Sequence, residues 1–492
     1  MALSTRTLAI TAAAPLALAL SGCLGGGTIP SASTPITQSE AQQGAEYHPQ
    51  LLAEFGGAMT GSQAQYVEQI GKNIAVQSGL GNARASFTVS TLNSSVNNAF
   101  AIPGGYIYTT RQLVSLMNNE AELAGVLGHE VGHVAARHSQ RRQQAAQRNS
   151  ILGVLGAIGS SILLGDSSIG NTISRGFLQG SQLLTLRFSR SQELEADDLG
   201  IQYLTSAGYD PRAMSTVLAS LAAQNSLDAR LQGRNNATVP EWASTHPDPA
   251  SRVQTALTKA QGLAGSVTNR DTFLSRIDGL LYGDDPEQGV IEGSDFIHPI
   301  MRLAFTAPQG FYMVNGTRAV SVNGQSGQAQ LTLAPYNGNL DTYVRQQFAA
   351  LGGEGGNLAP SSVQRTTVNG IKAAYGTARV NNGNSQVDLT VFAYEFSTDR
   401  AYHFAAITPA GRGNTFASMF QSMRRVSSSE ASAIVPRRID VVTVGSRDSV
   451  QSLARRMAYS DSQEARFRVL NALGSNDSVR PGQKVKIVVR GR

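Results

Sequence analysis

Residues 126–139 read VLGHEVGHVAARHS, with His129 and His133 four positions apart and Glu130 directly after the first. Upstream, Asn119 precedes Glu122 at capping-box spacing, and an apolar run follows through Leu123, Val126 and Leu127, which marks a helix start. Successive helical residues turn by about 100°, so His129 and His133 lie about 40° apart on one face and both imidazoles can reach one ion. Glu130 sits one step round, where it can touch a water on that ion without ligating it. A catalytic zinc takes three protein ligands and keeps one position open. The third ligand must come from elsewhere in the chain.

Residues 187–200, RFSRSQELEADDLG, supply carboxylates. Glu193 and Asp197 stand one helical turn apart, so one can bind zinc while the other accepts the proton on a ligand histidine's second ring nitrogen. A charged helix surface fits the same spacing equally well, because Glu195 and Asp198 crowd the segment. His138 is declined as a ligand. The long histidine motif needs a glycine and a different spacing, whereas Ala136 stands where that glycine belongs. A substrate contact or a helix-end role is the expectation for His138.

The chain has 492 residues, 41% of them hydrophobic and 15% charged, enough for two to four domains with real cores. Arg6, an apolar run from Leu8 to Leu20 and small residues after it read as a secretory signal peptide over 1–22. Leu20-Ser21-Gly22-Cys23 resembles the bacterial lipobox, so Cys23, the only cysteine, is the expected lipid attachment point. An exported chain with one cysteine has no internal disulfide. Residues 23–40 are rich in Gly, Ser, Thr and Pro and read as a tether. The expected location is the periplasm, lipid-anchored to the cell envelope, with the outer membrane preferred.

Four motifs, NAFAIPGGYIYTT (98–110), LGHEVGHVAARHS (127–139), SRSQELEAD (189–197) and STHPDPASR (244–252), occur in this order. Together they resemble the zinc metallopeptidase family of HtpX and the CAAX prenyl proteases, in its exported BepA-like branch. The resemblance spans roughly residues 40–275. It implies one zinc per chain, Glu193 as the third ligand beside His129 and His133, and Asp197 in support behind them. It also implies that His246 can occupy the open position as a switch, and that an extended substrate adds as a strand beside the 98–110 hairpin. Chemistry then makes Glu130 the base that takes a proton from water and returns it to the leaving amine. His246 and Arg252 are the candidates to face the oxyanion. The expected function is a zinc-dependent metalloendopeptidase of the bacterial envelope that hydrolyses misfolded or misassembled envelope proteins. The alternatives are a latent protease acting mainly as a chaperone-like outer-membrane assembly factor, or a cell-wall-binding lipoprotein.

The fold class expected is α+β. A mainly helical zincin-type domain with a small sheet covers 41–280, an antiparallel α+β domain of faint PsbP or Mog resemblance covers 286–430, and a small βααβ module resembling LysM covers 437–492. Between the zinc motifs, residues 151–170, ILGVLGAIGSSILLGDSSIG, are too few to span a membrane and read as a core helix or a cover over the cleft. In the last module Arg447 replaces the usual glycine of a Gly-Asp turn. From Arg437 onward there are 12 Lys or Arg against 5 Asp or Glu, net +7, so the chain's +6 resides there. Nucleic acid is excluded as a partner of an exported chain; peptidoglycan or anionic headgroups suit the basic module.

Overall fold

The computed structural model describes residues 34–81, 84–142, 188–231, 246, 248–352, 358–382 and 385–491. The signal peptide, Cys23, residues 24–33 of the expected tether and the apolar stretch 151–170 lie outside the described residues. The rest of that expected tether, 34–40, is instead held in place, with Thr37 capping a helix that starts at Gln38 and Arg137 donating to the Thr34 and Pro35 carbonyls.

The first part of the chain is helical. It contains α1 (Gln38–Glu54), α2 (Ser62–Ala75), α3 (Arg111–Leu116), α4 (Glu120–Ala135), α5 (Arg190–Ser206), α6 (Ala213–Leu231), α7 (Pro249–Ala260) and α8 (Arg270–Ile277). A small sheet of β1 (Thr88–Leu92), β2 (Ala99–Ile102) and β3 (Tyr106–Thr110) accompanies them in the order β1-β3-β2, with β1 parallel and β2 antiparallel to β3. The helix carrying the two histidines is α4, and every residue of it except Val134 is buried. A helix covered on all sides needs neighbours at close range. Small residues allow this against α5: a Cβ on Gly132 would stand 3.0 Å from the Ala196 carbonyl oxygen, and one on Gly200 would stand 3.1 Å from the His129 nitrogen. Glycine inside a helix costs about 1 kcal/mol relative to alanine. Here it draws the two helices together so that the carboxylates of one meet the imidazoles of the other.

The start of α4 differs in detail from the spacing argument. Asn119 caps the helix through its side chain, accepting from the Glu122 backbone N–H at 2.9 Å. Glu122 returns not to Asn119 but to the Asn118 N–H, at 2.7 Å, and its other oxygen accepts from Thr216 at 2.9 Å. The carboxylate thus ties the helix start to α6 as well as capping it.

Residues 290–425 carry two antiparallel sheets. One runs β5 (Val290–Glu292), β6 (Asp295–His298), β7 (Leu303–Thr306) and then β15 (Arg424–Arg425). The other has seven strands: β8 (Tyr312–Asn315), β9 (Val320–Gly324), β10 (Gly327–Leu333), β11 (Val363–Val368), β12 (Ile371–Asn382), β13 (Ser385–Ser397) and β14 (Arg400–Pro409). Its order is β11-β12-β13-β14-β10-β9-β8. Helix α9 (Leu340–Gly352) packs Val344 and Phe348 on one face with Ala374, Leu389 and Val391. Phe296 and Phe305 of the smaller sheet, with Phe420 of α10 (Ala417–Ser422), pack the other face with Phe392 and Phe404.

The C-terminal residues fold as strand, helix, helix, strand, in the expected order: β16 (Arg437–Thr443), α12 (Val450–Ala454), α13 (Gln463–Leu470) and β17 (Lys484–Arg490), preceded by the short α11 (Ser428–Ala433). This module does not stand apart. β16 pairs with β4 (Leu281–Tyr282), just after α8, and Ile439, Leu453, Phe467 and Ile487 belong to the same apolar core as Leu123, Leu127 and Met214. Lys486 is fully buried and donates to the carbonyls of Ser115, Leu116 and Met117 at 2.8, 3.2 and 2.6 Å. Those carbonyls close α3, where the helix dipole favours a cation. Burial pushes the Lys486 ammonium down, and the nearby Glu122 carboxylate opposes that shift. Part of the basic charge expected to face an envelope polymer is thus used inside the molecule, and Arg437 and Arg490 both reach Glu292.

Replacing Lys486 with Met should leave the Ser115 and Met117 carbonyls without this donor, while Leu116 keeps the Asn118 side-chain N–H. An unfolding free energy lower by about 2–3 kcal/mol is expected, read by urea denaturation beside the exposed control Arg455→Met, which should match the parent.

Candidate metal centre

Helices α4, α5 and α7 and the residue His246 converge on one buried cluster. Ser189 caps α5 with a reciprocal bond to Gln192, which sets Glu193 in the first turn, where the helix dipole favours a carboxylate. Asp248 caps α7 and Pro249 opens it, which delivers Arg252 into the same interior.

His129, His133, Glu193 and His246 are all buried, and one donor atom from each lies within 4.8 Å of every other. Five of the six pairs are well inside that limit. His129 Nε2 lies 3.0 Å from His133 Nε2 and 3.3 Å from His246 Nδ1. Glu193 oxygens lie 3.6 Å from His129 Nε2, 3.5 Å from His133 Nε2 and 3.2 Å from His246 Nδ1. Four ligands placed about 2.0–2.1 Å from a tetrahedral zinc stand about 3.3–3.4 Å from one another. The observed separations surround that value. The donor set, imidazole and carboxylate, is also the one zinc takes in hydrolytic sites, so the residues fit a single zinc ion.

A second layer fixes the ligands. Asp197 Oδ1 accepts from His129 Nδ1 at 2.9 Å, which turns Nε2 of the neutral ring toward the cluster as a lone pair. Arg252, 1% exposed, donates to Asp197 at 2.7 and 2.5 Å and to Glu193 at 2.5 Å. Its guanidinium therefore holds the two carboxylates apart in fixed orientations. The oxyanion contact expected of it would have to coexist with these three bonds. Phe188 stacks on the His133 ring, centroids 3.9 Å apart and planes 19° from parallel.

Charge follows burial. Burial alone would raise the Glu193 carboxyl, but the neighbouring His246, through its charge and a hydrogen bond, holds it well below the usual carboxylate range. Burial pushes Glu130 up, with His246 and His129 opposing. Burial lowers His133. It would lower His246 too, but Glu193 and Glu130 beside that ring push it above the ordinary histidine value. Glu130 Oε1 is buried without a hydrogen-bond partner, 3.4 Å from His246 Nε2. An orphaned carboxylate oxygen at the edge of a metal-binding cluster is a place for a water or a substrate group.

Every sequence-predicted site residue in the described set, His129, Glu130, His133, Glu193, Asp197, His246 and Arg252, lies in this one cluster. Cys23 lies outside the described residues. The sequence reading missed the clamp that Arg252 makes and Phe188 over His133. His138, declined as a ligand, lies outside the cluster and just past the end of α4, one of its two expected placements. At 0% exposure it is not at a substrate surface, and its approach to 2.8 Å from His133 Nδ1 was missed.

Residues 61–260 match Peptidase family M48. That segment contains every residue of the cluster. Among similar proteins, the beta-barrel assembly-enhancing protease of Escherichia coli strain K12 is 32% identical over 247 residues, covering 50% of this chain and 49% of its own. The Yersinia pestis protein of that name is 32% identical over 263 residues, 53% of this chain and 52% of its own. The mitochondrial metalloendopeptidase OMA1 of Arabidopsis thaliana is 35% identical over 167 residues, 34% of this chain and 30% of its own. The chain spans about half the length of the assembly-enhancing relatives it matches. No helix among the described residues is long and apolar enough to cross a membrane.

Zinc at about 100 times its dissociation constant should stabilise the parent by about 2.7 kcal/mol, seen as a higher melting temperature than in chelator. The difference should vanish in Glu193→Gln.

Proposed function

We propose that the protein is a zinc-dependent metalloendopeptidase of the bacterial envelope, lipid-anchored at Cys23, that cleaves misfolded or misassembled envelope proteins. The observation that carries this reading is the tetrahedral spacing of His129, His133, Glu193 and His246 with the orphaned Glu130 oxygen beside it. Likeness to beta-barrel assembly-enhancing proteases supports the envelope setting.

On this reading His129, His133 and Glu193 hold the metal, and Asp197 keeps His129 in its metal-binding tautomer. Bound zinc would supply Lewis acidity, polarising a peptide carbonyl and acidifying a water. Glu130 receives the proton from the attacking water, and its raised affinity for protons suits it to do so at neutral pH. It then hands that proton to the departing amine. His246, 3.2 Å from Glu193 and 3.4 Å from Glu130, is the group that would have to move aside before a substrate carbonyl could enter. Arg252 keeps Glu193 aligned and supplies positive potential to the same side.

A second reading, a latent enzyme serving as an assembly factor, is supported by one specific feature: His246 Nδ1 lies 3.3 Å from His129 Nε2 and 3.2 Å from Glu193, close enough that it would close the site as a fourth ligand. The two readings are compatible if displacement of His246 is the activating step. For the C-terminal module we propose a LysM-like fold whose exposed basic residues contact peptidoglycan, and for residues 286–430 a client-positioning role.

Cleavage of a disordered protein should fall by about 100-fold or more in Glu130→Gln, with zinc content equal to the parent by metal analysis. Loss of zinc along with activity would instead make Glu130 a structural residue. His246→Ala should cleave faster than the parent at equal zinc. An unchanged rate would remove the switch.

A further inference from the structure

We propose that His138 and Glu195 form an orienting arm that fixes His133 for metal binding, the counterpart of the Asp197 arm behind His129. This rests on the metal-site reading above. In an unbroken helix, a residue five positions after His133 would point well away from it. The chain avoids that outcome at Arg137, whose φ of 51° puts a side-chain-bearing residue in the left-handed region just after α4 ends. Such a conformation costs about 1–2 kcal/mol outside glycine and persists only where surrounding contacts enforce it. Arg137 is 4% exposed, donates to Glu40 at 3.1 Å, and reaches the Thr34 and Pro35 carbonyls at 2.9 and 3.3 Å. The reversal folds His138 back beneath His133.

The hydrogen-bond chain then reads in one direction only. The Glu195 carboxylate can only accept, so His138 Nε2, 3.2 Å away, carries the proton. In the neutral His138 ring Nδ1 is then a lone pair. It lies 2.8 Å from His133 Nδ1, so that nitrogen must be the donor. His133 Nε2 is left as a lone pair aimed at the cluster, 3.0 Å from His129 Nε2 and 3.5 Å from Glu193. Arg141 anchors the far end, donating to both Glu195 oxygens at 3.1 and 3.0 Å. Without the arm, neutral His133 is free to put its proton on Nε2 and offer a metal an N–H in place of a ligand. The three acidic residues of ELEAD thus serve one centre by separate routes: Glu193 directly, Asp197 through His129, Glu195 through His138 and His133.

The test is zinc affinity of the purified protein, by competition with a chromophoric chelator. His138→Phe keeps a ring of similar size but accepts no proton, and should bind zinc about 10–100-fold more weakly. His138→Gln, whose amide oxygen can accept from Nδ1 while its amide nitrogen donates to Glu195, should recover most of that loss. A packing role alone would predict the reverse order. Should His138→Phe fail to fold by circular dichroism, Glu195→Ala decides, because its side chain is 41% exposed; a several-fold weaker affinity is expected. Parent-like affinity in the folded variants overturns the orienting arm and leaves the metal centre standing. Absence of zinc binding by the parent overturns both.

Discussion

Three carboxylates, Glu130, Glu193 and Asp197, are buried in one cluster, and a buried carboxylate without a cation is among the costliest groups a fold can hold. The surrounding structure answers that constraint. Arg252 spans Glu193 and Asp197, His246 stands between Glu193 and Glu130, and His129 closes on Asp197. What remains is a set of nitrogen and oxygen donors facing one another at close range, which only a shared cation makes comfortable. The near-contact of α4 and α5 through Gly132 and Gly200 is the backbone condition for all of it.

The local part of this arrangement was legible in the sequence because it obeys helical geometry. Four-residue spacing puts His129 and His133 on one face, and the same spacing links Glu193 to Asp197. The role of Arg252 was less legible, since α7 is brought to α5 by tertiary packing that no short-range pattern encodes. The contact of His138 with His133 was hidden for a definite reason: helical extrapolation fails at Arg137, where a left-handed residue carries no glycine to advertise it. The capping pattern at Asn119 held for one bond and missed the other by one residue, because Glu122 also answers to Thr216 on α6.

The sheets were read unevenly for a similar reason. The segments around β10, β12 and β13 were marked by alternation, which matches a buried and a half-buried face in β10, whereas β12 and β13 pack into cores on both sides of the sheet. β14, RAYHFAAITP, is buried along nearly its whole length between two cores, so apolar residues fall on both of its faces and leave no two-residue period to detect. The order strand, helix, helix, strand at the C-terminus was readable from composition and turns. Its attachment was not: a lysine in a basic tail looks like surface charge, and only the fold reveals that Lys486 is inside.

The shared core of α4, α6, β16 and β17 separates two boundaries that usually coincide. The match to Peptidase family M48 ends at residue 260, whereas the apolar core continues through Ile439, Phe467 and Val488. The family match and the cooperative core therefore have different bounds in this chain. Loss of the last fifty residues would expose apolar side chains of the M48-matching segment to water, so the terminal module is a structural part of that segment whatever it binds outside.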